Sequence, residues 1–146
     1  MAHQHRLRIG RHSEPQRCYL LTSTSHGRRP VFETFRAARI VVEELARMDA
    51  AGMTYTWCYV VMPDHIHWLV QLLDGATLER VMRCLKSRSA WRLGGRIWQR
   101  GYHDHALREE AQLLPTARYV VMNPVRAGLV TSIGDYPHWD ACWLKG

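Results

Sequence analysis

Apolar positions alternate with polar ones in some stretches of the chain and recur at helical spacing in others, and the switches between the two periods outline the fold. Residues 18–25 carry Tyr19 and Leu21 with Thr22 and Thr24 beside them, a strand-forming run. Gly27-Arg28-Arg29-Pro30 follows as a basic turn. Phe35, Ala38, Val42, Leu45 and Met48 lie near helical spacing and predict a first helix over 34–49. Residues 53–61 read as a second strand, Met62-Pro63-Asp64 interrupts it, and 65–72 read as a third. So short a polar break between two apolar runs predicts an antiparallel hairpin.

Leu78, Val81, Met82 and Leu85 mark a second helix, interleaved with Arg80, Arg83, Lys86 and Arg88 and ended by Gly94-Gly95. Residues 97–105 are short and aromatic and predict a fourth strand or an extended loop. A third helix is expected over 108–121, restarting at Pro115, because proline is accommodated only in a first turn. The order β-α-β-β-α-β followed by a helix predicts an α+β fold. It is ferredoxin-like, with helices packed on one face of an antiparallel sheet and an additional C-terminal helix. The expected division is a basic N-terminal tail over 1–17, a single domain over 18–131 and an aromatic tail over 132–146. Tyr136, Trp139 and Trp143 of that last segment either staple it to the core or meet nucleic-acid bases.

A chain of 146 residues is long enough for one well-buried core and short for two. Lys and Arg number 20 against 13 acidic residues, a formal charge of +7, and nearly all of the basic residues are arginine. That bias suits bidentate contacts with phosphate, although a basic balance alone is common among small proteins. Cys18, Cys58, Cys84 and Cys142 are dispersed, with no CxxC pair to suggest a zinc knuckle or redox dithiol. Residues 1–17 hold no apolar targeting run, and His3, His5 and His12 fall outside any periodic pattern. The expectation is a cytoplasmic protein with reduced thiols and no membrane partner.

Candidate chemistry begins at His65 and His67. On a strand their spacing sends both imidazoles to one face while Ile66 and Trp68 face the other way. Their Cβ atoms then lie roughly 6–7 Å apart, close enough to converge on one cation. A third ligand is needed, and the side-chain oxygen of Asn123 is the candidate. Without thiolates, such a set favours Mg²⁺ or Mn²⁺ over zinc. Tyr119 and Asn123 stand four residues apart and share a helical face if the helix persists that far. A phenolate beside a cation is a nucleophile for phosphorus, and in a basic protein the natural electrophile is a phosphodiester of DNA. Tyr119 also sits among Val120, Val121 and Met122, as a core aromatic would, and Pro124 biases Asn123 away from helical geometry. Tyr55, Tyr59 and Tyr102 are its rivals.

Three ordered motifs carry a family resemblance: MPDHIH at 62–67, WQRGYHDHALR at 98–108 and YVVMNPVRAGLV at 119–130. Over roughly residues 18–136 the chain closely resembles the REP-associated tyrosine transposases, relatives of the small single-tyrosine insertion-sequence enzymes. The resemblance implies that His65 and His67 are the paired metal-binding histidines, Tyr119 the catalytic tyrosine and Asn123 the polar third ligand. His105 and Arg108 match a His-x-x-Arg element of this branch. Also implied are substrates of single-stranded DNA folded into imperfect palindromic hairpins, cleaved through a 5′-phosphotyrosine and rejoined without an external energy source. No P-loop is present, in keeping with that.

Arg28, Arg29, Arg83, Lys86, Arg96, Arg100, His105, Arg108 and Arg126 are the expected DNA contacts, and such contacts make binding salt-dependent. Association with the nucleoid is expected when DNA is bound. Competing readings are a noncatalytic hairpin-binding protein, a relaxase-like nicking enzyme and an RNA-binding module of the same fold class. Monomer and homodimer both stay open.

Overall fold

A computed structural model describes residues 16–144, so residues 1–15 of the expected N-terminal tail, with its three histidines, lie outside the described residues. Strand β1 (Cys18–Thr24) leads into helix α1 (Phe35–Ala50), then the hairpin of β2 (Thr54–Met62) and β3 (His65–Leu72). Helix α2 (Leu78–Leu93), strand β4 (His103–Ala106), helices α3 (Leu113–Val121) and α4 (Asn123–Arg126), and strand β5 (Trp139–Ala141) complete the order. The sheet runs β4-β1-β3-β2-β5 with every pairing antiparallel. Thr34 and Thr77 start the two long helices by accepting from the backbone N–H groups of Ala37 and Arg80. Gly94 stops α2 at a φ of +82°, a conformation natural to glycine.

Period-two alternation divides the sheet into two faces. Leu21, Val61, Ile66, Trp68, Val70 and Leu72 pack with Ala38, Val41 and Leu45 of α1 and Leu78, Val81 and Leu85 of α2. Cys58, Val60, Met62 and Leu69 point the other way, where Ala117 and Val120 of α3 cover them. The fold is thus α+β, with α1 and α2 layered on one face and the C-terminal helix on the opposite one. Buried Glu44 pins α1 to α2 by accepting from Arg88 at 2.8 Å and Arg92 at 2.9 Å.

The β2–β3 connection is as tight as its sequence suggests. Met62 pairs with His65, leaving only Pro63 and Asp64 as the loop. Their carbonyls are held from the side: Pro63 accepts from the Phe32 N–H at 2.9 Å, and Asp64 from the Ser25 N–H at 2.9 Å. The Ser25 hydroxyl also donates to the Asp64 carbonyl, at 3.1 Å.

Two expectations shift. The stretch 97–105, expected as a fourth strand or extended loop, divides: its ladder with β1 starts at His103, and before that Trp98 makes an isolated bridge to Ser25. Ile97 and Trp98 are consecutive and both buried, so that segment does not alternate as a strand would. Trp98 instead packs 5.0 Å from the Phe32 ring and donates through Nε1 to Ser89 at 2.8 Å. Gly101, at a φ of +82°, then turns the chain into the ladder. The third helix starts later than residue 108, because the Gln112 side chain accepts from the N–H groups of Arg108 and Glu109 and closes a separate turn first. Residues 132–144 contribute β5 against β2, and the Tyr136 hydroxyl donates to the Val61 carbonyl at 2.6 Å. Among the described residues, no helix is long and apolar enough to cross a membrane.

Candidate active site

The register of β3 determines what surrounds its two histidines. His67 lies between Thr22 of β1 and Val60 of β2, and His65 between Thr24 and Met62. Both rings project to the face that α3 occupies, with centroids 4.9 Å apart and planes at 81°. Each ring is engaged through the same nitrogen. His65 Nδ1 is 2.8 Å from Asp64 Oδ1, and His67 Nδ1 is 2.8 Å from Thr22 Oγ1. The Nε2 atoms are thereby left for another partner.

Burial, reinforced by the charges of His65 and Arg126, pushes the His67 imidazole down to about 4, so the ring is neutral near physiological pH. Burial alone would raise the Asp64 carboxyl, but the hydrogen bond and charge of His65, together with Arg28, hold it below its ordinary value. The Arg28 guanidinium meets Asp64 Oδ2 at 3.0 Å.

Tyr119 reaches the pair from α3, its ring centroid 6.2 Å from that of His67. It is 53% exposed, while its neighbour Val120 is fully buried, so the core position on this helix belongs to Val120. Among the rival tyrosines, Tyr55 stacks edge-on to Trp57, and Tyr59 and Tyr102 pack against the α1–α2 core. Burial, with Asp140 beside it, pushes the Tyr59 phenol up to about 12. The Cζ atom of Arg126 lies 4.0 Å from the Tyr119 centroid, and its Nη2 donates to the Tyr119 carbonyl at 2.6 Å.

Tyr119 and Asn123 do not share one unbroken helix. Met122, at φ −84° and ψ 0°, separates α3 from α4, and Pro124 has no N–H with which to continue the ladder. Asn123 is half-buried, and its Nδ2 atom is buried with no hydrogen-bond partner. Among the described residues, His, Cys, Asp and Glu alone form no cluster of three or more able to hold a metal ion. A cation site here therefore needs the Asn123 amide as well as the two imidazoles. Turned about its last torsion, that amide presents Oδ1 where the unpartnered Nδ2 now sits, and an amide oxygen with imidazole nitrogens is a donor chemistry that suits a divalent cation.

No protein-family model matches the chain. A Haemophilus influenzae protein bearing the REP-associated tyrosine transposase name is 30% identical over 95 residues, spanning 53% of each chain. The Escherichia coli REP-associated tyrosine transposase is 30% identical over 81 residues, spanning 54% of this chain and 49% of its own. Among solved structures, a REP-associated tyrosine transposase bound to a REP hairpin superposes with a TM-score of 0.79. That match is 22% identical and covers 90% of this chain and 81% of the other. Over about half its length the chain is thus similar in sequence to REP-associated tyrosine transposases, and it shares the fold of one of them. A Deinococcus radiodurans protein described as a candidate transposase shares the fold at a TM-score of 0.56 and 20% identity. It covers 77% of this chain, which matches 95% of its length. The chain spans about half the length of the curated REP-associated transposases it matches.

Around the two histidines and Tyr119 the expected DNA contacts fall into separate groups. Arg28 and Arg29 sit on the turn that braces the hairpin, and Arg29 Nη2 donates to the Arg96 carbonyl at 3.1 Å. Arg100 lines a cavity of about 280 Å³ with Thr22, Thr24 and His103. His105 pairs with Leu20 on the edge strand, and Arg108 lines a second cavity of about 370 Å³ near Arg17 and Cys18. Arg83 and Lys86 belong to α2, and Lys86 Nζ donates to the carbonyls of Gln99 and Gly101. Arg126 lies against Tyr119, as described. Two polar partners of the site went unrecognised in the sequence. Asp64 reads there as a turn residue, though its place directly before His65 is a usable signal, whereas Thr22 has none, since only strand register brings it to His67.

Proposed function

We propose that this chain is a metal-dependent single-stranded DNA endonuclease and strand transferase acting on palindromic hairpin DNA through a covalent 5′-phosphotyrosine. The observation that carries the reading is the exposed Tyr119 ring, 6.2 Å from that of His67 and delivered by a different element. Kinship with REP-associated transposases, one of them solved with a REP hairpin, supports hairpin DNA as the partner. The β-α-β-β-α-β order with the added strand β5 supports a ferredoxin-like core whose C-terminal helix bears the nucleophile.

His65, His67 and Asn123 would hold the cation, Mg²⁺ or Mn²⁺. When bound, it supplies positive charge for the nonbridging phosphate oxygens. Tyr119 forms a bond from its phenolic oxygen to phosphorus as the bond to the 3′ oxygen breaks. The phenol gives up its proton and the departing 3′ oxygen takes one up, so the step is proton-neutral. A 3′-hydroxyl attacking the phosphotyrosine reverses these events and rejoins DNA, with the phosphate-bond energy retained throughout. Arg28, Arg29, Arg96, Arg100, His105 and Arg108 are read as contacts along the strand, with Arg83 and Lys86 more distant. The catalytic unit is read as residues 18–131 with β5 of the following segment completing its sheet, and a nucleoid-associated location in the cytoplasm belongs to the same reading.

The test is incubation with labelled single-stranded palindromic DNA from the chain's own genomic neighbourhood, with Mg²⁺ or Mn²⁺. A denaturant-resistant adduct that disappears in Tyr119→Phe supports the proposal. Hairpin binding without an adduct across a broad substrate set leaves the noncatalytic reading.

A further inference from the structure

We propose that Asp64 and Thr22 are positioning residues that hold His65 and His67 as the tautomers bearing hydrogen on Nδ1, so that both Nε2 atoms stay bare for one cation. The inference rests on the metal-binding reading above and deepens it. An imidazole that binds a metal through Nε2 must carry its proton on Nδ1, and a partner at Nδ1 selects that tautomer and the ring plane. Both rings have an oxygen at Nδ1, each at 2.8 Å: the Asp64 carboxylate can only accept, whereas the Thr22 hydroxyl can accept or donate and is assigned the accepting role.

Asp64 is a pure acceptor held from three sides. Its carbonyl takes the Ser25 N–H and hydroxyl, and Oδ2 takes Arg28 at 3.0 Å, so Oδ1 has little freedom to leave His65. A carboxylate at Nδ1 also makes the opposite nitrogen a better donor to a cation. Thr22 is fixed by strand register opposite His67. When its hydroxyl oxygen accepts from Nδ1, its own hydrogen is free to donate, and Thr22 also lines the 280 Å³ cavity with Arg100 and His103. One residue thus meets the His67 ring through its hydroxyl and lines the cavity beside it.

The test has two arms, both on the full chain. In the metal-free protein at mildly alkaline pH, ¹⁵N shifts of the histidine side chains report the tautomers. Bare Nε2 atoms on His65 and His67 are expected. Thr22→Val should mix the tautomers of His67 only, and Asp64→Ala those of His65 only. Protonated Nε2 atoms in the parent chain would overturn the proposal.

In the second arm Mn²⁺ alone is titrated and its affinity read by electron paramagnetic resonance. Thr22→Val and Asp64→Ala should each weaken binding about ten- to a hundredfold. Thr22→Ser and Asp64→Asn, which keep an acceptor, should stay much closer to the parent. His65→Ala is the control for the underlying reading. Loss in His65→Ala with parental affinity in Thr22→Val and Asp64→Ala overturns the positioning roles alone. Parental affinity in all three overturns the metal site itself.

Discussion

The guanidinium of Arg126 lies 4.0 Å from the centroid of the Tyr119 ring and donates to the same residue's carbonyl at 2.6 Å. One side chain thus caps the frayed end of α3 and clamps the face of its exposed tyrosine. The carbonyl is available because the helix breaks at Met122. Cation–π contacts at exposed positions contribute about 0.5–1 kcal/mol. Arg126→Ala should therefore slow adduct formation by about two- to fivefold through a less ordered phenol. Single-turnover rates at saturating hairpin DNA will isolate this effect from any loss of affinity.

Tyr119→Phe removes one oxygen from a half-exposed ring and leaves Val120 and Ala117 in the core. Folding should be unaffected, with adduct yield falling to background, a loss on the order of 10⁶-fold for a nucleophile. Hairpin affinity, measured by fluorescence anisotropy, should stay within a few-fold of the parent. A parallel collapse of affinity would assign Tyr119 to binding.

The His67 imidazole sits at about 4 in the folded chain, below its ordinary 6.5, chiefly because it is buried. Between those values the unfolded chain binds more protons than the folded one. Metal-free stability should therefore rise as pH climbs from about 4 to about 6.5 and be lost as pH falls back through that window. Urea midpoints across the window should show a shallower slope in His67→Gln.

Glu44 is 1% exposed and accepts from Arg88 and Arg92, both more exposed than it is. Glu44→Ala deletes the shared acceptor between α1 and α2. Arg92 keeps its pair with Glu43 at 2.6 Å and Arg88 can partly reach water, so the cost should be about 2 kcal/mol, below the full loss for a wholly buried pair. Urea denaturation measures it. Adduct formation well below the unfolding midpoint should persist, because these residues lie on the face away from the histidines.

Arg100 lines a cavity with Thr22, the residue whose hydroxyl meets His67. If it neutralises one phosphate, Arg100→Ala should flatten the slope of log affinity against log salt by about 1 unit. An unchanged slope would put the strand elsewhere on the surface.

Local pattern was enough for the hairpin, both long helices and the common face of His65 and His67, because each depends on residues close in the chain. Alternation forces Ile66 and Trp68 into the core and the imidazoles to the opposite side, and Pro63-Asp64 leaves room only for a tight turn. Tyr119 and Asn123 were legible as a motif, and Pro124 signalled a disturbed helix beside Asn123, but that the break would fall at Met122 with the Arg126 side chain taking the Tyr119 carbonyl was not. Where the fourth strand begins within 97–105 was left open by the sequence, because Trp98 serves the core, where it meets Phe32 and Ser89. Tertiary structure alone decided that α3 would cross the face bearing the histidines, that Val120 and not Tyr119 would fill the core there, and that Thr22 would meet His67. Thr22 and His67 are far apart in the chain, and only the β1–β3 register, fixed by which apolar side chains the two strands must bury together, makes them neighbours.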